Sequence, residues 1–392
     1  MLLSALPPGP FTQLAALLGD VKPGMPPISL AVGDPAGAVP AFISEALAKH
    51  AGEFGHYPAI TGSEDWRQAA AHWLNTRFGL GGRIHPDKNL LPLSGTREGL
   101  FSVLFPLMPL SKGGAKPVVA MPNPFYQCYA AAALAAGAEP LYVPATQDSG
   151  FLPDYASLPK AVLDRLVAVY VCSPSNPEGA VANENYWNSL FALAERHDFI
   201  VLADECYADI YFDQPPASAL PKRLGQSGGF TRLLTFHSLS KRSGLPGLRS
   251  GMVAGCEKLI EKFRAFRNVA GPTVPAPVLA ASAAAWRDET HVAANRAAYA
   301  ERMAAAERIL GNHFVKPGGG FFLWLKTPNG TETALRLWRD FGVRVLPGAF
   351  MGREITPGKS QSNPGFSYVR IALVSNLSTI MTALERVRET LD

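Results

Sequence analysis

The chain has 392 residues, enough for two domains or one large domain with a smaller appendage, and it is 47% apolar and 17% charged, an ordinary soluble composition far from that of a disordered chain. Its 36 basic and 32 acidic residues leave a net charge of only +4, with no Lys/Arg block; this argues against a nucleic-acid partner and leaves small anionic ligands open. Four scattered cysteines, Cys128, Cys172, Cys206 and Cys256, match neither a disulfide framework nor metal-ligand spacing, so a reducing cytoplasm and no metal are expected.

The opening stretch "MLLSALPPGPFTQLAALLGD" is apolar, yet no Lys or Arg precedes Lys22 and three prolines interrupt it, which fits neither a signal peptide nor an anchor. The longest apolar run, "LFSVLFPLMPL" at 100–110, is too short to span a bilayer, so no membrane association is expected. The first forty residues are rich in Pro and Gly with little periodicity, and are expected to wrap over the surface or a partner. From about 90 to 255, short β-type runs alternate with helix patterns: "LLPL" (90–93), "VVAM" (118–121), "LYVP" (141–144), "LVAVYV" (166–171), "FIVLA" (199–203), "RLLTF" (232–236) and "GMVA" (251–254). The segment 185–197, "NYWNSLFALAERH", has apolar residues three and four apart and predicts a helix. This alternation predicts an α/β fold, a large doubly wound, mostly parallel sheet covered by helices. Residues 276–310 are Ala-rich and predict one or two long helices. Strands are expected in "GGGFFLWLK" (318–326), "VRVLP" (343–347) and "SYVRIAL" (367–373), with helices at about 331–341 and 377–390. They form a smaller α/β unit. The expected division is an N-terminal arm with part of the small unit at 1–44, the large domain at 45–275 and the small domain at 276–392.

Ligands of open α/β sheets bind beyond the carboxyl ends of the strands, so the residues following each strand matter most. Five runs are followed by polar loops: "SGTREGL", "PNPFYQCY", "SPSNPEGA", "DECYADI" and "HSLSKRSG". Each has an ordinary structural explanation. Ser94 or Thr96 can be a helix cap, Asp204 a cap or a carboxylate satisfied by backbone, Tyr126 and Tyr207 core aromatics, and Asn176 a turn residue. Lys241, set among Ser238, Ser240 and Arg249, either sits in a solvated loop or titrates downward and becomes a nucleophile. Together the loops supply an amine, a phosphate cradle at a helix start, an aromatic face, a carboxylate, and hydroxyl and amide donors. That inventory matches pyridoxal 5'-phosphate, whose aldehyde, phosphate, flat ring and ring nitrogen each need one of these partners.

With "SNPEGA", "DECYADIYF", "SLSKRSGLPGLRSG" and "YVRIAL", the chain resembles the class I/II aminotransferases of the fold type I pyridoxal-phosphate enzymes over nearly its whole length. Within that family, "CSPSNPEGAV", "GPTVPAPVLAASAAAW", "VLPGAFMGRE" and "NPGFSYVRIALV" look most like the bacterial succinyldiaminopimelate transaminases of lysine biosynthesis. The resemblance implies Lys241 as the Schiff-base lysine and proton-transferring base in a ping-pong exchange with glutamate and 2-oxoglutarate. It implies Asp204 at the ring nitrogen, Tyr207 and Asn176 at the phenolic oxygen, and Tyr126 against the ring. Gly95, Thr96, Arg97, Ser238, Ser240 and Arg249 are implied around the phosphate. Arg370 and Gly33 are implied at the substrate α-carboxylate, with Asn176 also at the substrate, and Tyr57 at the phosphate of a neighbouring subunit, hence a homodimer with shared sites. Glu178, where many relatives have Thr, is a departure that puts acidic substrates in doubt. Arg242, directly after the lysine, either lowers its proton affinity or points to solvent. Arg353 is a candidate for an outer carboxylate of the substrate, or a solvated loop arginine. A broad aromatic or alanine aminotransferase and a β-eliminating lyase share this machinery and remain alternatives. A cofactor-binding regulator needs a DNA-binding unit, for which the ends of the chain leave no room.

Overall fold

A two-residue strand, β1 (Ile28–Ser29), precedes the seven strands of the main sheet: β2 (Leu90–Leu93), β3 (Val118–Asn123), β4 (Glu139–Pro144), β5 (Leu166–Cys172), β6 (Ile200–Asp204), β7 (Leu233–Ser238) and β8 (Gly251–Gly255). The computed structural model describes residues 6, 8–35, 37–271 and 273–391, so residues 1–5, 7 and 36 of the expected arm lie outside the described residues. The strand order is β2-β8-β7-β6-β5-β3-β4, and β8 alone runs against its neighbours. Successive side chains point to opposite faces of the sheet. Leu90, Val118, Ala120, Val201 and Leu233 pack into one core, while Leu91, Val119, Met121, Leu202 and Leu234 pack into another. Both faces are therefore covered, which is why these strands read as continuous apolar runs.

Helix starts and breaks follow from local chemistry. The helix Glu184–His197 begins where the Asn183 side chain accepts a hydrogen bond from the Tyr186 N–H at 2.9 Å, and Arg196 and His197 lie in its last turn, favourable at the negative end of the dipole. The Ala-rich segment forms two helices, Ala276–Arg287 and Thr290–Leu310. In the break between them, the Asp288 carboxylate accepts from the His291 N–H at 2.9 Å, satisfying a donor in the first turn that no helical carbonyl can reach.

The smaller unit contains β9 (Phe322–Lys326), β10 (Val343–Arg344), β11 (Leu346–Pro347) and β12 (Tyr368–Ala372). Strands β11, β12 and β9 form an antiparallel sheet in that order, and β10 pairs in parallel with β1. Leu323, Leu325, Val369 and Ile371 face Met303, Ile380 and Leu384 of flanking helices. Two segments carry more structure than their sequences suggest. The first forty residues contain a helix, Pro10–Leu18, whose Leu14 and Leu18 pack with Leu346 and Met351; proline sits at its first position, where no N–H is needed. The "VRVLP" segment is two strands, because β10 and β11 turn to different partners on either side of the buried Val345.

Candidate active site

Parallel β3, β5, β6 and β7 all end at one edge of the main sheet, and the polar loops lie there. Ser238 closes β7, and its hydroxyl accepts from the Ser240 N–H at 3.1 Å, starting the short turn Leu239–Arg242 that carries Lys241. The Lys241 amine donates to the Gly33 carbonyl at 2.5 Å and lies 5.2 Å from the centre of the Phe321 ring. Burial pushes its pKa down from 10.5 to about 8, with Arg370 and Arg97 acting in the same direction against Cys206 and Asp34. Burial disfavours the charged ammonium. Gly33 is required for this approach: a Cβ there would fall 2.7 Å from the Phe322 ring and 3.0 Å from Phe321.

Asp204 ends β6 and is 5% exposed. Its carboxylate accepts from the Tyr129 hydroxyl at 2.6 Å and from the Cys206 N–H at 3.3 Å. Burial raises its pKa, and these two neighbours oppose the rise. The sequence around Tyr129 does not mark it as a site residue. The only signal is its spacing from Tyr126, three positions apart at the start of the helix Gln127–Ala135, a separation that brings two side chains to one helix face. Tyr207, one turn after Asp204, is buried with its ring edge-on to Phe321 and Phe322, and burial drives its phenol pKa well up.

Arg370 lies on β12, 4% exposed, with its guanidinium 4.3 Å from the Phe322 ring centre. It donates to the Asn176 side-chain oxygen at 2.9 Å and to the Ala31 carbonyl at 2.6 Å, while its Nε has no partner. No carboxylate pairs with it among the described residues. Burial lowers its pKa to about 10. A buried cation without a counter-ion is costly, so this site is built for an anion supplied from outside the chain.

Gly95 has φ +80°, a conformation open to glycine, and a Cβ there would fall 2.0 Å from Arg249 Nη2; only hydrogen leaves room for the guanidinium. Arg249 itself is in the left-handed region at φ 53°, and donates to the carbonyls of Pro246 at 2.8 Å and Ser94 at 3.3 Å. The Thr96 hydroxyl meets the Cys206 sulfur at 3.1 Å. Arg97 donates to the Tyr126 phenol, which places its guanidinium 5.5 Å from the ring centre.

Residues that the sequence leaves ambiguous are placed by their contacts. Arg242 is buried, stacked between Trp73 and Trp286 at 5.3 and 5.1 Å, bonded to Glu289 and to the Ala285 carbonyl, and 3.4 Å from Asp209. It points neither to solvent nor at the lysine amine. Glu178 is buried and accepts from the Ser175 hydroxyl at 2.8 Å; burial pushes its pKa up to about 8, so it is largely a neutral acid at pH 7 and adds little negative charge to the Asn176 loop. Tyr57 is fully exposed.

This donor set fits pyridoxal 5'-phosphate: a buried carboxylate, a lysine amine poised near neutrality and a glycine-opened loop under Arg249 converge at one edge. Residues 26–386 match the family described as "Aminotransferase class I and II". The chain is 31% identical, over 94% of its length and 92% of the relative, to an LL-diaminopimelate aminotransferase of Dehalococcoides mccartyi. An aminotransferase structure from Neisseria meningitidis superposes with TM-score 0.92 at 38% identity, covering 99% of this chain and 98% of that one. A structure from Thermus thermophilus, described as a probable N-succinyldiaminopimelate aminotransferase, does so with TM-score 0.83 at 26% identity, covering 97% and 100%.

Proposed function

The chain belongs to the class I and II aminotransferases, which depend on pyridoxal 5'-phosphate, and from that premise we propose that it exchanges the amino group of N-succinyl-LL-diaminopimelate with 2-oxoglutarate. The observation that carries the reading is the buried Arg370, without an acid partner among the described residues and bonded to Asn176, within electrostatic reach of the Lys241 amine, whose pKa is pushed down to about 8. The name of the Thermus structure supports the succinylated substrate.

When bound, the cofactor supplies an aldehyde for an amine and a protonated ring that withdraws electrons from the substrate Cα. Arg370 would take the α-carboxylate with its planar fork, with Asn176 fixing the guanidinium and Gly33 leaving room beside it. Lys241, neutral in an appreciable fraction at pH 7, would remove and return the Cα proton, and its fixed position makes that transfer effectively intramolecular. Asp204, steadied by Tyr129, would hold a proton on the ring nitrogen, Tyr207 and Asn176 would face the phenolic oxygen, and Tyr126 the ring. Gly95, Thr96, Arg97, Ser238, Ser240 and Arg249 would surround the phosphate.

The exposed Tyr57, with the exposed Phe54 and Val269, supports a homodimer in which this tyrosine reaches the partner's phosphate. Four free cysteines support a cytoplasmic setting, and no helix among the described residues is long and apolar enough to cross a membrane. A second reading, transamination of unsuccinylated LL-diaminopimelate, is favoured by the name of the Dehalococcoides relative. A coupled assay with 2-oxoglutarate tests both, with N-succinyl-LL-diaminopimelate, LL-diaminopimelate, aspartate, alanine and phenylalanine as donors. The succinylated donor is expected to lead in kcat/KM by at least about tenfold, a margin within reach of differential binding. A lead for the free diamine selects the second reading, and equal values for all donors sink both.

A further inference from the structure

Arg353 has no place in the machinery above, yet its surroundings are those of a binding group. It follows the turn Gly348–Met351, which leads out of β11, the strand paired with the one that carries Arg370. Its backbone is pinned to the end of β3: the Arg353 N–H donates to the Asn123 side-chain oxygen at 2.8 Å, and the Asn123 amide donates to the Arg353 carbonyl at 2.9 Å. The Phe125 N–H donates to the Met351 carbonyl at 3.0 Å. The loop is thereby registered to the segment Asn123–Tyr126, at the same sheet edge as Lys241 and Asp204.

The side chain lies against two aromatic rings, 4.8 Å from the centre of Phe125 and 5.7 Å from that of Tyr142. One Nη donates to the Gly352 carbonyl at 2.8 Å. The Tyr142 phenol is a second hydrogen-bond partner of the guanidinium; an arginine has five N–H donors, so these two partners leave donors free. Burial lowers its pKa, although Tyr142 opposes this. No carboxylate pairs with it among the described residues. Its neighbour Glu354 is committed elsewhere, accepting from the Gly358 N–H at 2.7 Å and the Ser360 hydroxyl at 3.2 Å. A half-buried guanidinium packed against two aromatic rings, with N–H donors to spare and no acid partner among the described residues, is suited to a carboxylate.

We propose that Arg353 binds the second, distal carboxylate of the amino-acid substrate and so sets the preference for acidic donors over neutral ones. Arg370 and Arg353 then form two anion sites carried by one small sheet and its following turn. The inference rests on the transaminase reading and deepens it from a reaction to a substrate class.

The test is single-turnover half-reaction kinetics of the holoenzyme with glutamate, aspartate, N-succinyl-LL-diaminopimelate, alanine and phenylalanine, in wild type, Arg353→Met and Arg353→Lys. The ratio of kcat/KM for glutamate over alanine is expected to fall ~10- to 100-fold in Arg353→Met, the scale for losing one charged partner. The loss should lie mainly in KM, and Arg353→Lys should fall between, keeping the charge without the fork. If Arg353 is only a clip holding its loop on Phe125, all donors decline together and the ratio stays constant, which overturns the proposal. Should the methionine variant fail to fold, the lysine variant reads the same ratio. The two ideas separate cleanly: a wild type indifferent to the succinylated donor, with a ratio that collapses in the variant, removes that substrate and keeps Arg353. A wild type that prefers it, with an unchanged ratio in the variants, does the reverse.

Discussion

The Lys241 amine gives the sharpest quantitative prediction, because its burial affects both reactivity and stability. With a pKa of about 8, roughly a tenth of the amine is neutral at pH 7, against about 0.03% for a lysine titrating at its ordinary 10.5, an advantage of about 300-fold in the nucleophilic form. The same shift costs stability. The unfolded chain holds the lysine proton up to pH 10.5, whereas the folded chain releases it near 8, so the unfolded state binds more protons in between and stability rises with pH across that window. Below about pH 8 the full penalty, about 3 kcal/mol for this displacement, is present. Replacing Lys241 with Met removes that penalty and also the hydrogen bond to Gly33, worth about 1 kcal/mol. The cofactor-free Lys241→Met protein is therefore expected to be more stable than wild type by about 2 kcal/mol at pH 7, with the advantage gone by about pH 10.5. Urea unfolding across this range measures it, and trace acetylation of the cofactor-free wild type, read at the Lys241 peptide by mass spectrometry, gives the pKa independently. A labelling inflection at or above 10, or a methionine variant less stable than wild type at pH 7, would refute the reasoning.

Three further substitutions probe other parts of the site. Glu178 has its pKa raised to about 8, so the stability it contributes is complete below about pH 4.5 and lost as pH rises through 8; Glu178→Gln is expected to gain roughly 4 kcal/mol relative to wild type between pH 5 and 8.5 in urea unfolding. Tyr129→Phe removes the donor that lowers the pKa of Asp204, so the acid limb of the kcat/KM profile should move to higher pH with about a tenfold loss of rate at neutrality; an unmoved limb denies Tyr129 this role. Gly33→Ala forces a methyl into the Phe322 ring, and is expected to lower kcat/KM by about 100-fold and stability by about 1 to 3 kcal/mol, read by steady-state kinetics and thermal unfolding.

What the sequence reveals of this site is what lies close together along it. Lys241 with its serines, Asp204 with Tyr207, and the Gly95 turn each occupy one loop after one strand, and the strands are legible because a sheet buried on both faces needs uninterrupted apolar runs. The convergence is not legible. Arg370 meets Asn176 across 194 positions and Ala31 across 339, and without those contacts it is one more arginine in a strand. Arg242 shows the same limit: its neighbours in the chain are Lys241 and Ser243, but its environment is Trp73, Trp286, Asp209 and Glu289, set by helices distant in sequence. Tyr129 reads as a helix residue among alanines, and its place under Asp204 emerges only once β3 and β6 end at the same edge.

The electrostatics of the site follow one rule, in which each working group is held in a state that the empty chain disfavours. Arg370 is a buried cation without an anion, Lys241 an amine short of its proton, and Asp204 a carboxylate whose charge burial opposes. The two cores of the main sheet offset these costs, and the apolar wall of Phe321 and Phe322 maintains them by excluding water from Lys241, Tyr207 and Arg370 alike. On the proposed reading a substrate carboxylate would sit at Arg370 and relieve the cost of that cation, and its electrostatic effect on Lys241 would oppose that of the guanidinium, which lowers the amine's pKa. On that reading substrate binding and the proton affinity of Lys241 would be coupled through a single arginine, so Arg370→Gln should both weaken α-carboxylate binding and raise the pKa of Lys241. A structural role for Arg370 alone would produce only the first.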